Sequence, residues 1–204
     1  MHPNPIYRQE TAARNLAFAG ARGFGMLTIS GPEGPLVSHV PFTLGDGFAE
    51  MHLVRSNPIA RALGMPVPAV LAVVGPDAYV SPDWYGMDDQ VPTWNYVSVH
   101  LRGQLGLLPP EDLRGQLDRL AASFEERIAG KTPWVADKMN PEALERLMRM
   151  IVPVRLAIAS VDGTWKLGQN KPEPARKGAA AGMEAAGIGA EIAGLAALMR
   201  AVQA

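Results

Sequence analysis

Apolar and polar positions alternate along much of this chain. From Leu36 to Leu44, one side carries Leu36, Val40, Phe42 and Leu44, with Ser38 as a polar exception. The other side carries Val37, His39, Pro41 and Thr43. A period of two predicts a strand, and Pro41, which lacks an amide donor, places an edge or bulge there. Gly45-Asp46-Gly47 then predicts a hairpin into Phe48–Val54. The clearest strand is Trp94 to Leu107. Val97, Val99, Leu101 and Leu105 take one face, and Tyr96, Ser98, His100, Arg102 and Gln104 the other. Shorter runs predict strands over Phe24–Ser30, Ala69–Val74, Asp77–Ser81 and Val154–Val161, with Asp162-Gly163 as a hairpin into Thr164–Gln169.

Helical periodicity appears elsewhere. Asn4 to Arg22 is rich in good helix formers and ends at Gly20, Gly23 and Gly25. Leu113, Leu117, Leu120, Phe124 and Ile128 form one stripe between Pro109 and Ile128, which predicts a core-facing helix. Asn57-Pro58 and Asn140-Pro141 each supply a cap and a first-turn proline, the second opening a helix to about Met150 with Leu144, Leu147, Met148 and Ile151 as its stripe. Lys171 to Lys177 has the composition of a linker. The Ala- and Gly-rich remainder predicts a loosely packed final helix over Ala190–Val202. Short strands interrupted by helices suggest a mixed α/β domain: a small antiparallel barrel with helices packed outside. The main domain is expected over residues 1–170, with 171–204 a linker and helical segment belonging to the same fold.

Composition narrows the function. The chain has 204 residues and no cysteine, which excludes disulfides, thiolate nucleophiles and cysteine-ligated metals. The polar start, Met1 to Glu10, has no signal-peptide core, and no run is long enough to span a bilayer, so a cytoplasmic protein away from membranes is expected. A net charge of −1 gives no basic footprint for nucleic acid. His39, His52 and His100 lack metal-ligand spacing, so no metal is expected. Neither a Gly-x-Ser-x-Gly elbow nor a Gly-x-Gly-x-x-Gly turn occurs.

Four segments carry candidate chemistry. Ser38 to Phe42 presents His39, able to donate to a phosphate or a ring carbonyl. His52 to Pro58 packs His52, Arg55, Ser56 and Asn57 at a strand end that opens a helix. Free amides, a guanidinium and a hydroxyl suit a phosphate there, although a capping Asn beside a surface Arg explains part of the pattern. Tyr79 to Tyr96 gathers Trp84, Tyr85 and Trp94, aromatics that can line a planar ring or simply fill a core. Trp165 to Asn170 places Lys166, Gln169 and Asn170 at a strand end, which solvation alone would also explain.

These segments, together with Gly75 to Tyr85 and Val91 to Tyr96, resemble in order the PaiB-type family of FMN-binding negative transcriptional regulators, over nearly the whole chain. The resemblance implies an α+β fold, an antiparallel split β-barrel like that of pyridoxamine-phosphate oxidase, and a homodimer with FMN at its interface. It implies Arg55, Ser56 and Asn57 on the FMN phosphate, with His52 in the same segment, and His39, Val40 and Pro41 along the flavin. Trp94, Asn95, Lys166, Gln169 and Asn170 would complete the site. Gly168 stands where a serine-like residue is expected, removing one hydroxyl. A regulatory role comes from the resemblance alone: no helix-turn-helix with a basic recognition helix appears, so direct DNA binding has no support in charge or motif. The alternatives are a flavin-dependent oxidoreductase or flavin reductase, a barrel that has lost its flavin and acts as a scaffold, and a haem-binding barrel.

Overall fold

Strands lie where apolar and polar positions alternate. The computed structural model describes residues 2–202, so Met1 and the end of the 171–204 segment, 203–204, lie outside the described residues. In chain order the elements are α1 (Ala12–Arg22), β1 (Phe24–Gly31), β2 (Gly34–Pro41), β3 (Thr43–Gly45), β4 (Phe48–Val54), α2 (Pro58–Ala62), β5 (Val67–Val80), β6 (Thr93–Leu107), α3 (Leu113–Glu125), α4 (Pro141–Met148), β7 (Ile151–Lys166), α5 (Glu173–Ala186), β8 (Gly189–Ala190) and α6 (Ile192–Ala201). The sheet order is β2-β1-β5-β6-β7-β4-β3, with β8 paired to β5.

Contacts divide the chain into two units. Unit 1 comprises Met1–Asn15, Val74–His100 and Asp162–Ala204, and unit 2 comprises Leu16–Val73 and Leu101–Val161. The long strands β5, β6 and β7 contribute to both.

Within unit 2, β1 pairs antiparallel with β2 and with β5, and β4 with β3 and β7. Leu27, Val40, Phe42, Met51, Leu53, Leu71, Leu101, Leu105 and Leu156 form its core. The hairpin after Gly45 and the strand over Leu101 and Leu105 follow the alternation. The helical stripes do so only in part. Leu113 and Leu120 of α3 are buried, but the helix stops at Glu125 and leaves Ile128 exposed. No residue of α4 is buried and Leu147 is half exposed, so this helix rides on the surface despite its apolar stripe.

Beneath α3 and the sheet lies a charge cluster that periodicity does not reveal. Glu50, 2 % exposed, accepts from Nη2 of Arg119 at 2.7 Å and from Nε of Arg155 at 3.1 Å. Burial pushes its carboxyl pKa up, but the hydrogen bonds and charges of the two guanidiniums outweigh this and hold it below the usual value.

Unit 1 departs furthest from the local pattern. The helix expected over Asn4–Arg22 is broken. A single 3-10 turn over Pro5–Tyr7, capped by Asn4, precedes α1, whose start is fixed by Thr11 Oγ1 accepting from the Arg14 amide at 3.1 Å. The two strands expected around Gly75-Pro76 are one, β5. Buried positions slip by one residue there, from Leu71, Val73 and Gly75 to Pro76, Ala78 and Val80, and that slip hides the continuity.

Asp162-Gly163 makes no hairpin, because β7 runs straight through it. A type I′ turn needs positive φ, which Gly163 does not adopt. A Cβ at Gly163 would sit 2.0 Å from Oδ1 of Asn15, an oxygen that accepts from Trp165 Nε1 at 2.8 Å, so the glycine serves close approach. The linker expected over Lys171–Lys177 is largely the first turn of α5.

The final helix is well packed: Leu195, Ala196 and Met199 of α6 are fully buried. Helix α5 packs against it and also receives Trp84. A Cβ at Gly182 would lie 2.3 Å from the Trp84 ring, so the ring settles directly on the helix backbone.

Candidate functional site

In unit 2 the sequence His52 to Pro58 ends β4 and opens α2. Asn57 is committed twice: its Oδ1 accepts from the Ile59 amide at 2.9 Å, and its Nδ2 donates to Ser38 Oγ at 2.9 Å. It thus caps α2 and ties it to β2. Arg55 is pinned beside it. Its Nε donates to the carbonyl of Arg149 at 3.1 Å and its Nη2 to that of Ile151 at 3.2 Å. Nη1 of Arg55 and the hydroxyl of exposed Ser56 have no hydrogen-bond partner among the described residues. A guanidinium held by two carbonyls keeps one nitrogen free to donate to a phosphate, and the adjacent residue Ser56 adds a hydroxyl.

The other flavin candidates of unit 2 sort by strand parity. His39 is exposed on β2 and stacks on Phe24, ring centroids 6.3 Å apart. Val40 is 2 % exposed, so its side chain belongs to the core and its backbone is the part that could line a ligand. Pro41 borders an apolar cleft of about 320 Å³ with Phe124 and Trp134. His52 pairs in register with Pro153, which has no amide to offer, and its Nδ1 is buried without a partner among the described residues. Burial pushes its pKa down, favouring neutral imidazole.

Unit 1 holds the remaining candidates. Asn95 is 1 % exposed and its Nδ2 donates to Sδ of Met199 at 3.4 Å. Gln169 folds back, with Oε1 accepting from the Leu167 amide at 2.9 Å and Nε2 donating to the Trp165 carbonyl. Gln169 thereby shapes the turn that follows β7. Gly168 has φ +76°, a conformation that favours glycine. Trp94 is 46 % exposed and meets Tyr79 edge to face at 6.3 Å.

Lys166 and Asn170 open onto a cleft of about 260 Å³. Lys166 Nζ donates to Thr93 Oγ1, and burial lowers its pKa. Tyr7, Tyr85 and Lys171 complete this wall and were not legible as ligands. Tyr7 lies in a polar N-terminal stretch, and Lys171 looks like a linker residue. The only available signal was that Lys171 directly follows Asn170 and that Tyr85 belongs to the aromatic segment.

With this geometry in place, comparison with known proteins decides the family. Residues 1–160 match the family described as "Putative FMN-binding domain". The chain belongs to this FMN-binding family. It is 28% identical over 174 residues to "Protease synthase and sporulation protein PAI 2" of Bacillus subtilis, covering 83% of each chain. Among solved structures it resembles the FAD and heme binding protein of Mycobacterium smegmatis, with TM-score 0.58, 18% identity, and 79% and 74% of the two chains covered. It also resembles the flavocytochrome Anf3 of Azotobacter vinelandii, with TM-score 0.58, 13% identity, and 82% and 73% covered.

The fold is thus the α+β antiparallel split barrel of flavin-binding proteins, as the sequence resemblance implied. FMN is the cofactor of the FMN-binding family. The partnerless Arg55 Nη1 and Ser56 hydroxyl are the observation that fits its phosphate. Among the described residues no helix is long and apolar enough to cross a membrane.

Proposed function

We propose that this chain is an FMN-binding homodimer that acts in negative regulation of gene expression. Arg55 and Ser56 hold the flavin phosphate while His39 and the backbone of Val40 and Pro41 border the ring. The observation that carries this is the Arg55 guanidinium, aligned by the carbonyls of Arg149 and Ile151 with one nitrogen left over. Asn57 supports the site indirectly by fixing α2 to β2. FMN would bring reversible electron and hydride chemistry; the protein's part is to place and tune it.

Exposed Phe24 and Val37 lie on one face of the paired strands β1 and β2 and offer apolar surface that a second copy would cover. Helix α5 packs on the 3-10 turn Pro82–Tyr85 within unit 1, which favours residues 171–204 belonging to the same fold as 1–170. A net charge of −1 gives little general attraction for DNA phosphates, which favours regulation through a protein partner over direct DNA contact.

The test is the visible spectrum of the protein as purified, with mass analysis of what acid releases. Released FMN, and about ten- to a hundredfold weaker FMN binding by Arg55→Ala, is the expected result, because one charge-assisted hydrogen bond is lost. A protein that neither carries nor takes up FMN would overturn the proposal. Salt-sensitive, sequence-selective gel shifts would replace the partner route with direct DNA binding.

A further inference from the structure

The polar cleft of unit 1 is crowded with donors and short of acceptors. Its wall carries two ammonium groups. Lys166 Nζ donates to Thr93 Oγ1, and Lys171 Nζ donates to Gln90 Oε1 while lying 5.2 Å from the centroid of the Tyr85 ring. Each lysine has three N–H donors and meets one neutral oxygen, and neither forms an ion pair with a carboxylate among the described residues. The Tyr7 hydroxyl donates to Asn170 Oδ1 at 3.0 Å, which leaves the Asn170 NH2 group, and also the Tyr85 hydroxyl, without a partner among the described residues. Asp89 is the one acid bordering the cleft, so the ionised side chains there sum to a positive charge.

Partly buried ammonium groups without a counter-ion are costly, and an anion relieves that cost through charge-assisted hydrogen bonds. The volume, about 260 Å³, exceeds what a bare inorganic anion fills. Tyr7 and Tyr85, largely buried at 6 % exposed each, border the cleft beside the charges.

We propose that this cleft binds a small organic acid: a carboxylate or phosphate group held by Lys166, Lys171 and the Asn170 amide, on a ring-sized body lying against Tyr7 and Tyr85. The inference uses residues of unit 1 alone and stands whether or not the Arg55 group holds FMN. It reassigns Lys166 and Asn170 from the flavin to a second ligand.

The test is calorimetric titration of the full chain, as purified, with benzoate, phenyl phosphate and neutral benzyl alcohol. At least one anionic probe should bind about tenfold or more tightly than the alcohol, and the preferred anion identifies the acid group. Lys166→Met and Lys171→Met should each weaken that binding about tenfold, while Lys177→Met, on the exposed face of α5, should leave it unchanged.

Equal binding of all three probes, or of none, would overturn the proposal. That comparison needs only the unsubstituted protein, so it holds even if a variant fails to fold. Displacement of the anionic probe by FMN but not by riboflavin would also overturn it, by placing the flavin phosphate in this cleft. Failure of FMN to bind with retained benzoate or phenyl phosphate binding would overturn only the flavin assignment.

Discussion

The hydroxyl of Tyr7 donates to Oδ1 of Asn170 at 3.0 Å, joining residues 163 positions apart in the chain. The bond anchors the N-terminal 3-10 turn to the loop that follows β7. It also orients the Asn170 amide at the cleft.

Tyr7→Phe removes this bond and little else, because the ring stays buried. The expected cost is about 0.5–1.5 kcal/mol in urea unfolding. A midpoint equal to that of the unsubstituted chain would show that the bond carries no stability in solution.

Glu50 makes stability depend on acid. Its folded pKa is depressed, so its contribution is fully present above the unfolded carboxylate value, near 4.5, and is lost as pH falls through the lower folded value. Glu50→Gln should cost about 1–3 kcal/mol at pH 7, as hydrogen bonds to a charged group are weakened. The penalty should shrink as pH falls below about 4.5. Thermal unfolding of both proteins across pH 3–7 checks this; a penalty independent of pH would mean the ion cluster is not its source.

Gly163→Ala tests whether the Asp-Gly pair serves a turn or close packing. In an ordinary extended strand, alanine would stabilise by about 0.4–1 kcal/mol through the unfolded chain. Here the new Cβ would press on Asn15 Oδ1 and loosen its bond from the Trp165 indole, so destabilisation of about 1–3 kcal/mol is expected. In the Asn15→Ala background the penalty should fall, because the two sites share one contact. Urea unfolding of the four proteins reads out the coupling.

Much of the fold was written locally. The alternation over Val97, Val99, Leu101 and Leu105, the hairpin at Gly45 to Gly47 and the Asn-Pro starts of α2 and α4 rest on interactions within a few residues, and those the sequence alone determined. So did the order of segments that marks the FMN family. What it left open depended on neighbours distant in the chain. Asp162-Gly163 carries the signature of a turn, yet Asn15 makes it a straight strand. The Ala- and Gly-rich end looks weak until Trp84 lies on Gly182. Lys166, Lys171, Tyr7 and Tyr85 are scattered through the sequence, and only the return of β7 and the folded N-terminus bring them to one cleft. Local patterns determine elements because backbone geometry and side-chain alternation act over a few residues. Sites and close contacts belong to tertiary structure because their energy comes from surfaces that no local stretch of chain contains.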